Sequence, residues 1–205
     1  MTVVPAASCP TQRKRGVALE DAIRAAAYSE LTEMGYTQFS VEGVAARAHT
    51  GKASIYRRWP TKQALVLDAL CAGLPTPQQC GLGPGDYGDM STADALRQVA
   101  RAITRILSSP AGAAMRAVKF EAATDPQLAR EIDERFQAPR REALLALLRR
   151  GVERGEVRPE AVSPLVADVL PAVLMHRVIL QRERINERDI TAIIEQILIP
   201  LVEVR

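Results

Sequence analysis

The stretch HTGKASIYRRWPTK, His49 to Lys62, gathers Lys52, Arg57, Arg58 and Lys62 with the aromatics Tyr56 and Trp59 and the hydroxyls of Thr50, Ser54 and Thr61. Such a set suits either an anion site that does chemistry or a surface that holds a polyanion. The chemical options fail on spacing. TGKAS resembles the end of a phosphate-binding loop, but Ala46 stands at the first glycine of GxxxxGK[ST], Ala53 follows the lysine, and no strand pattern precedes it. His49 and His176 are the only histidines and lack the acidic neighbours of a metal site or a triad. Cys9, Cys71 and Cys80 are widely spaced, without a CxxC pair, so neither a disulfide framework nor zinc is expected, and a reducing cytoplasm fits. The reading is of a protein that is not an enzyme and needs no cofactor or metal.

Charge distribution favours the polyanion surface. Residues 1–70 carry nine Lys/Arg against six Asp/Glu, whereas residues 71–205 carry eighteen of each, so the whole net charge of +3 sits in the first third. The best apolar run, VADVLPAVLMHRVIL, is interrupted by Asp168, Pro171, His176 and Arg177, which argues against a membrane span. MTVVPAASCPTQRKRG places its basic cluster after the apolar residues, the reverse of a secretory signal, and reads as a flexible arm over residues 1–16.

The elements that must position the basic stretch are all helical. Leu19, Ile23, Ala26, Ala27, Leu31 and Met34 share one face at helical spacing, with Gly35 as a C-cap. Ser40 can cap a short helix bearing Val41, Val44, Ala45 and Ala48; a turn follows at His49 and Thr50. A further helix is predicted over Lys52–Trp59, ended by Pro60, and Thr61 can cap another bearing Ala64, Leu67, Leu70, Cys71 and Leu74. The Pro/Gly-rich segment 74–90 reads as a linker loop between a unit at 17–73 and a larger one at 91–205. In the latter, Ser91 and Asp94 resemble a capping box before Leu96, Val99, Ile103 and Ile106. Asp125-Pro126 opens a helix running through Ile132, Phe136, Leu144, Leu145 and Leu148, and two strongly apolar segments close the chain. With 47% hydrophobic residues available for a core and no strand pattern, the fold class is all-α with about nine helices.

Two short helices joined by a tight turn, behind a longer supporting helix, make the helix-turn-helix pattern, whose second helix enters the DNA major groove. Placing GKASIYRRW on a helix turns Ile55 and Trp59 inward and leaves Lys52, Ala53, Ser54, Tyr56 and Arg57 accessible. Small residues permit close approach, hydroxyls and lysine hold phosphates, and arginine can fork onto a guanine edge.

At this point FSVEGVAARAHTGKASIYRRWPTKQALV resembles the DNA-binding segment of the tetracycline-repressor (TetR) family of bacterial transcription regulators, over about residues 17–70. The resemblance implies that Lys52, Ala53, Ser54 and Arg57 approach bases or nearby phosphates, and that Tyr56, Lys62, Ser40 and Thr61 meet backbone phosphates. It implies a cytoplasmic bacterial protein, at the nucleoid when bound. His49 stands where the family commonly has glycine in the turn, and Gly51 where a serine commonly caps the recognition helix, leaving the cap to Gly51 or Thr50. Arg13, Lys14 and Arg15 lie close enough to the first helix for phosphate or minor-groove contact; a solvated tail is the alternative.

A palindromic operator read by two related copies calls for a homodimer, and the two apolar C-terminal segments offer Val166, Val169, Leu170, Val173, Ile194, Ile197, Leu198 and Leu201 for a four-helix interface. The resemblance further implies a small-molecule effector, with Met115, Phe120, Phe136, Met175, His176 and Arg177 as candidate contacts. The expected function is a DNA-binding transcriptional regulator, a repressor released by its effector. The competing expectation is an all-α adaptor whose basic N-terminal unit meets an acidic protein.

Overall fold

A computed structural model describes residues 16–80, 83, 87–181 and 184–204. Among them there are nine continuous helical rods and no strand; one isolated bridge joins Val157 to Glu203. The arm residues Arg13, Lys14 and Arg15 lie outside the described residues.

The first rod, α1 (Val17–Gln38), runs through Gly35 at φ 74°, so the glycine predicted as a cap bends the helix and one more turn follows it. Met34, predicted on the buried face, is 45% exposed where the helix bends, while Tyr36 beyond the bend packs against the core. Then come α2 (Val41–Arg47), α3 (Lys52–Tyr56) and α4 (Lys62–Gly73). Ser40 accepts from the Gly43 amide at 3.0 Å and Thr61 from that of Ala64 at 3.0 Å, each satisfying a donor left open at a helix start.

Beyond the linker stand α5 (Thr92–Leu107) and α6 (Pro110–Ala122), then α7 (Pro126–Ile132), which passes through a π-helical turn at Asp133–Gln137 into α8 (Ala138–Glu153). Asp125 caps α7 with Pro126 at its first position, as its sequence predicts. Ser91 caps α5, but Asp94 returns to the Ser91 hydroxyl at 2.8 Å rather than to its amide, so the box is half formed. The last pieces are α9 (Pro164–Met175), continued by a π turn at His176–Leu180, and α10 (Glu187–Ile193), which passes through a π turn at Ile194–Leu198 into α11 (Ile199–Val202).

The core does not divide where the chain does. One cluster joins Ile23, Leu31, Val44, Ile55, Trp59 and Leu70 to Met115, Val118, Ile132 and Phe136, so α6 and α7 complete the interior of the N-terminal helices. A second joins α5, α8, α9, α10 and the π turn after it through Leu96, Val99, Leu144, Leu170, Leu174, Ile190 and Ile194. Leu170, Ile194 and Leu198, expected at a dimer interface, are instead at most 2% exposed inside this second cluster. The helical face they occupy is turned toward α5; on the same rods Leu165 and Ile197 are exposed, while Val166, Val169, Val173 and Leu201 are half-buried against the chain's own apolar clusters.

Leu70, fully buried where α4 meets the shared cluster, is predicted to cost about 2–5 kcal/mol on truncation to alanine, read as a lower urea midpoint. Phe120→Ala, at a side chain 70% exposed, should move it by less than about 0.5 kcal/mol.

Candidate nucleic-acid interface and effector cavity

The turn between α2 and α3 is built by the backbone. The Thr50 amide donates to the Ala45 carbonyl at 3.0 Å and the His49 amide to that of Ala46 at 3.2 Å, the paired pattern that closes a helix with a left-handed residue. That residue is His49, at φ 52°. Its imidazole is exposed, so the conformation, and not burial of the side chain, is what the turn needs there.

The turn aims α3 outward. Gly51 caps it in extended conformation without a side-chain bond; Thr50 does not take the role. Regular helix ends at Tyr56, but the Trp59 amide still donates to Ile55 at 2.9 Å, so Lys52–Trp59 forms one short rod. Ile55 and Trp59 anchor it, at 1% and 7% exposure, while Lys52, Ala53, Tyr56 and Arg57 face solvent and Ser54 is half-buried. Arg57 rests on the Ser54 hydroxyl at 3.2 Å, and Lys52 pairs with Glu42 at 2.7 Å. Both are exposed contacts, weak enough to exchange for phosphate or base edges. Arg58, by contrast, is tied to Glu20 at 3.1 Å and to the Ser54 carbonyl at 3.0 Å, which holds α3 to α1. Lys62 donates to the Tyr36 carbonyl at 3.0 Å and lies 4.6 Å from that ring, at the rim where Ser40 and Thr61 also stand.

Behind the reading face is a carboxylate that the sequence reading missed. Asp68 of α4 accepts from Arg24 at 2.6 Å, from the Trp59 indole at 3.0 Å and from Arg135 in the π turn. Burial alone would raise its pKa; the hydrogen bonds from Arg24, Arg135 and Trp59 more than offset this and hold it below the ordinary carboxylate value. A second carboxylate, Glu30, is buried; it pairs with Arg47 at 2.8 Å and ties α2 to α1.

In the second unit, a cavity of about 160 Å³ opens between α5, α8 and α9. Val99, Ala102, Ile103, Ile106 and Leu107 form one wall, Leu144, Pro171 and Met175 another, and Pro75, Pro77 and Tyr87 of the linker close it. Of the candidate effector contacts, Phe136 and Met175 are among its lining residues. Met115 is not: it is packed in the shared core. Phe120 stands on the surface, His176 is exposed, and Arg177 pairs with Asp189 at 3.5 Å, all outside the lining. The polar lining is instead Lys119, Gln137, Arg140, Arg141 and Asp168. A polar concavity of about 570 Å³ on the other side of Tyr87, with Glu142, Arg149, Arg150 and Glu153, lacks such apolar walls.

Among the described residues no group of acidic, histidine or cysteine side chains could hold a metal ion, and no helix is long and apolar enough to cross a membrane. A basic, solvent-facing helix set by a tight turn on an all-helical body defines a helix-turn-helix DNA-binding regulator.

Comparison with known proteins agrees. Residues 23–69 match the family model "Bacterial regulatory proteins, tetR family" and residues 86–197 the model "Tetracyclin repressor-like, C-terminal domain". An HTH-type transcriptional regulator of Mycobacterium tuberculosis is 31% identical over 83% of this chain and 81% of its own length. The DNA-binding transcriptional repressor TetR of Mycobacteroides abscessus is 30% identical over 92% of this chain and 96% of that protein. The crystal structure of the TetR family transcription regulator SCO0332 superposes with a TM-score of 0.68 at 26% identity, covering 88% of this chain and 96% of that one. The chain belongs to the TetR family of DNA-binding transcriptional regulators, which are not enzymes, and the adaptor expectation gives way to that assignment.

Two outcomes follow from the local geometry. Because the folded Asp68 binds its proton less readily than the unfolded chain does, its contribution is complete above about pH 4 and is lost as pH falls through its folded pKa; Asp68→Asn should therefore flatten the acid limb of a stability–pH profile. His49→Gly should raise the melting temperature by the equivalent of roughly 1 kcal/mol, since glycine takes the left-handed conformation without a Cβ penalty.

Proposed function

We propose that this protein is a homodimeric repressor that binds a palindromic operator through α3 and is released by a small molecule held between α5, α8 and α9. The observation that carries the reading is the continuity between reading face and cavity. Trp59, which anchors α3, bonds to Asp68 of α4; α4 leads straight into Pro75 and Pro77, which line the cavity. Arg140 bridges the two, donating to the Pro75 carbonyl at 2.9 Å and to that of Phe136 at 2.8 Å. Arg135, one residue before the cavity-lining Phe136, closes the circuit on Asp68.

An occupant that displaces Phe136 or Pro75 therefore pulls on both attachments of α4. Rotation of α4 carries Trp59 and α3 with it, and two reading helices that must enter successive major grooves about 34–36 Å apart lose their register. The second copy would cover the exposed Leu165 and Ile197 and complete the burial of the half-buried Val166, Val169, Val173 and Leu201 on α9 and the last rod. In that assembly Lys52, Ala53, Ser54 and Arg57 meet bases and nearby phosphates, while Ser40, Thr50, Gly51, Tyr56, Thr61 and Lys62 border the backbone. The segment Arg13–Arg15 adds phosphate or minor-groove contact.

The test is selection of genomic fragments by the full chain, followed by titration of the selected duplex. Lys52→Ala with Arg57→Ala should weaken binding by at least about 1–3 kcal/mol per protomer and make the dependence on salt shallower, with the circular dichroism spectrum unchanged. Unaltered affinity in the double variant would remove α3 from the interface.

A further inference from the structure

Three cationic side chains and one carboxylate line the cavity. Arg141 answers the carboxylate, lying 3.1 Å from Asp168 and 3.3 Å from Asp133 just outside. Lys119 is different. Its ammonium donates to the neutral Gln137 amide oxygen at 3.2 Å and stands 5.7 Å from the centre of the Phe136 ring, and among the described residues no carboxylate pairs with it. The Arg140 guanidinium lies 3.6 Å from the centre of the same ring, so a second positive charge borders the ammonium. Burial first, and then repulsion from Arg140, lower the Lys119 pKa below the ordinary lysine value; no acidic group raises it.

A half-buried ammonium in that position is stabilised by an anion more than by any neutral or cationic group. The rest of the cavity sets the body of the molecule. Its walls are aliphatic and aromatic, and its volume of about 160 Å³ is close to the roughly 150 Å³ of an apolar cavity that accepts benzene. One ring, or a chain of similar bulk, fills it.

We propose that the cavity takes an amphipathic organic anion, a one-ring or short-chain carboxylate whose apolar part lies among Val99, Ile103 and Leu144 and whose carboxylate meets Lys119 beside Arg140. This rests on the reading of the cavity as the effector site and names its ligand class. Bound there, the carboxylate sits against Phe136, the residue next to Arg135.

The experiment is calorimetric titration of the full chain with benzoate, benzyl alcohol and benzylamine, which share a one-ring skeleton of the bulk the cavity takes and differ in charge. The acid should bind at least about tenfold more tightly than the alcohol, and the amine most weakly. Lys119→Met should erase the preference for acid over alcohol while the alcohol still binds, and Lys119→Arg should keep it. Alcohol or amine binding as tightly as the acid, a preference that survives Lys119→Met, or no binding of any of the three overturns the anion site. A parallel titration of the operator complex separates the two levels: acid that binds through Lys119 without releasing the duplex leaves the anion site standing and overturns the effector reading.

Discussion

The side chain of Asp68 is where the structure is held to one arrangement. A single carboxylate on α4 accepts from α1 through Arg24, from the end of the reading rod through Trp59, and from the π turn between α7 and α8 through Arg135. A half-buried carboxylate keeps its charge when donors replace the water it has lost, and here the donors come from three separate parts of the fold. Satisfying the charge therefore fixes their relative positions. Arg24 also lies 5.7 Å from the Trp59 ring centre, so the same cation braces the indole from its face while Asp68 holds its edge.

From that constraint the DNA-reading surface follows. Packing of Ile55 and Trp59 alone would let a five-residue helix roll; the directional bond at Trp59 and the Arg58 contacts to Glu20 and Ser54 set its rotation. The groups left outward are those whose contacts are cheapest to break, Lys52 with Glu42 and Arg57 with Ser54. On the proposed reading, DNA would replace these contacts with phosphates without dismantling the support. The same hub reaches the cavity, because Arg135 and Phe136 are adjacent in one π turn, a local widening of helix geometry that recurs at functional sites.

Much of the interface was legible in the sequence. Helix starts at Ser40, Thr61, Ser91 and Asp125 follow from one residue's local chemistry, and the inward turn of Ile55 and Trp59 from helical spacing. The left-handed turn at His49 followed from the resemblance, which places glycine there. The cavity was legible only in part. Phe136 and Met175 line it, but Met115 and Phe120 on α6 and the pair His176–Arg177 do not. Their fate depends on which helix lies alongside, which local spacing does not carry. Leu170, Ile194 and Leu198 failed as interface residues for a related reason: an apolar face shows that a partner exists, without saying whether it is another helix of the same chain. Asp68, 44 residues from Arg24 and 67 from Arg135, left no local signal.

The account turns on Asp68 positioning the reading helix, and the most direct measurement is the affinity of the Asp68→Asn protein for the selected operator duplex at neutral pH, with circular dichroism confirming that the helices remain. The loss of charge should loosen Trp59 and weaken binding by at least about tenfold, or ~1.4 kcal/mol, although residue 68 touches no DNA. A folded Asp68→Asn protein that binds the duplex as tightly as the native chain would contradict the account.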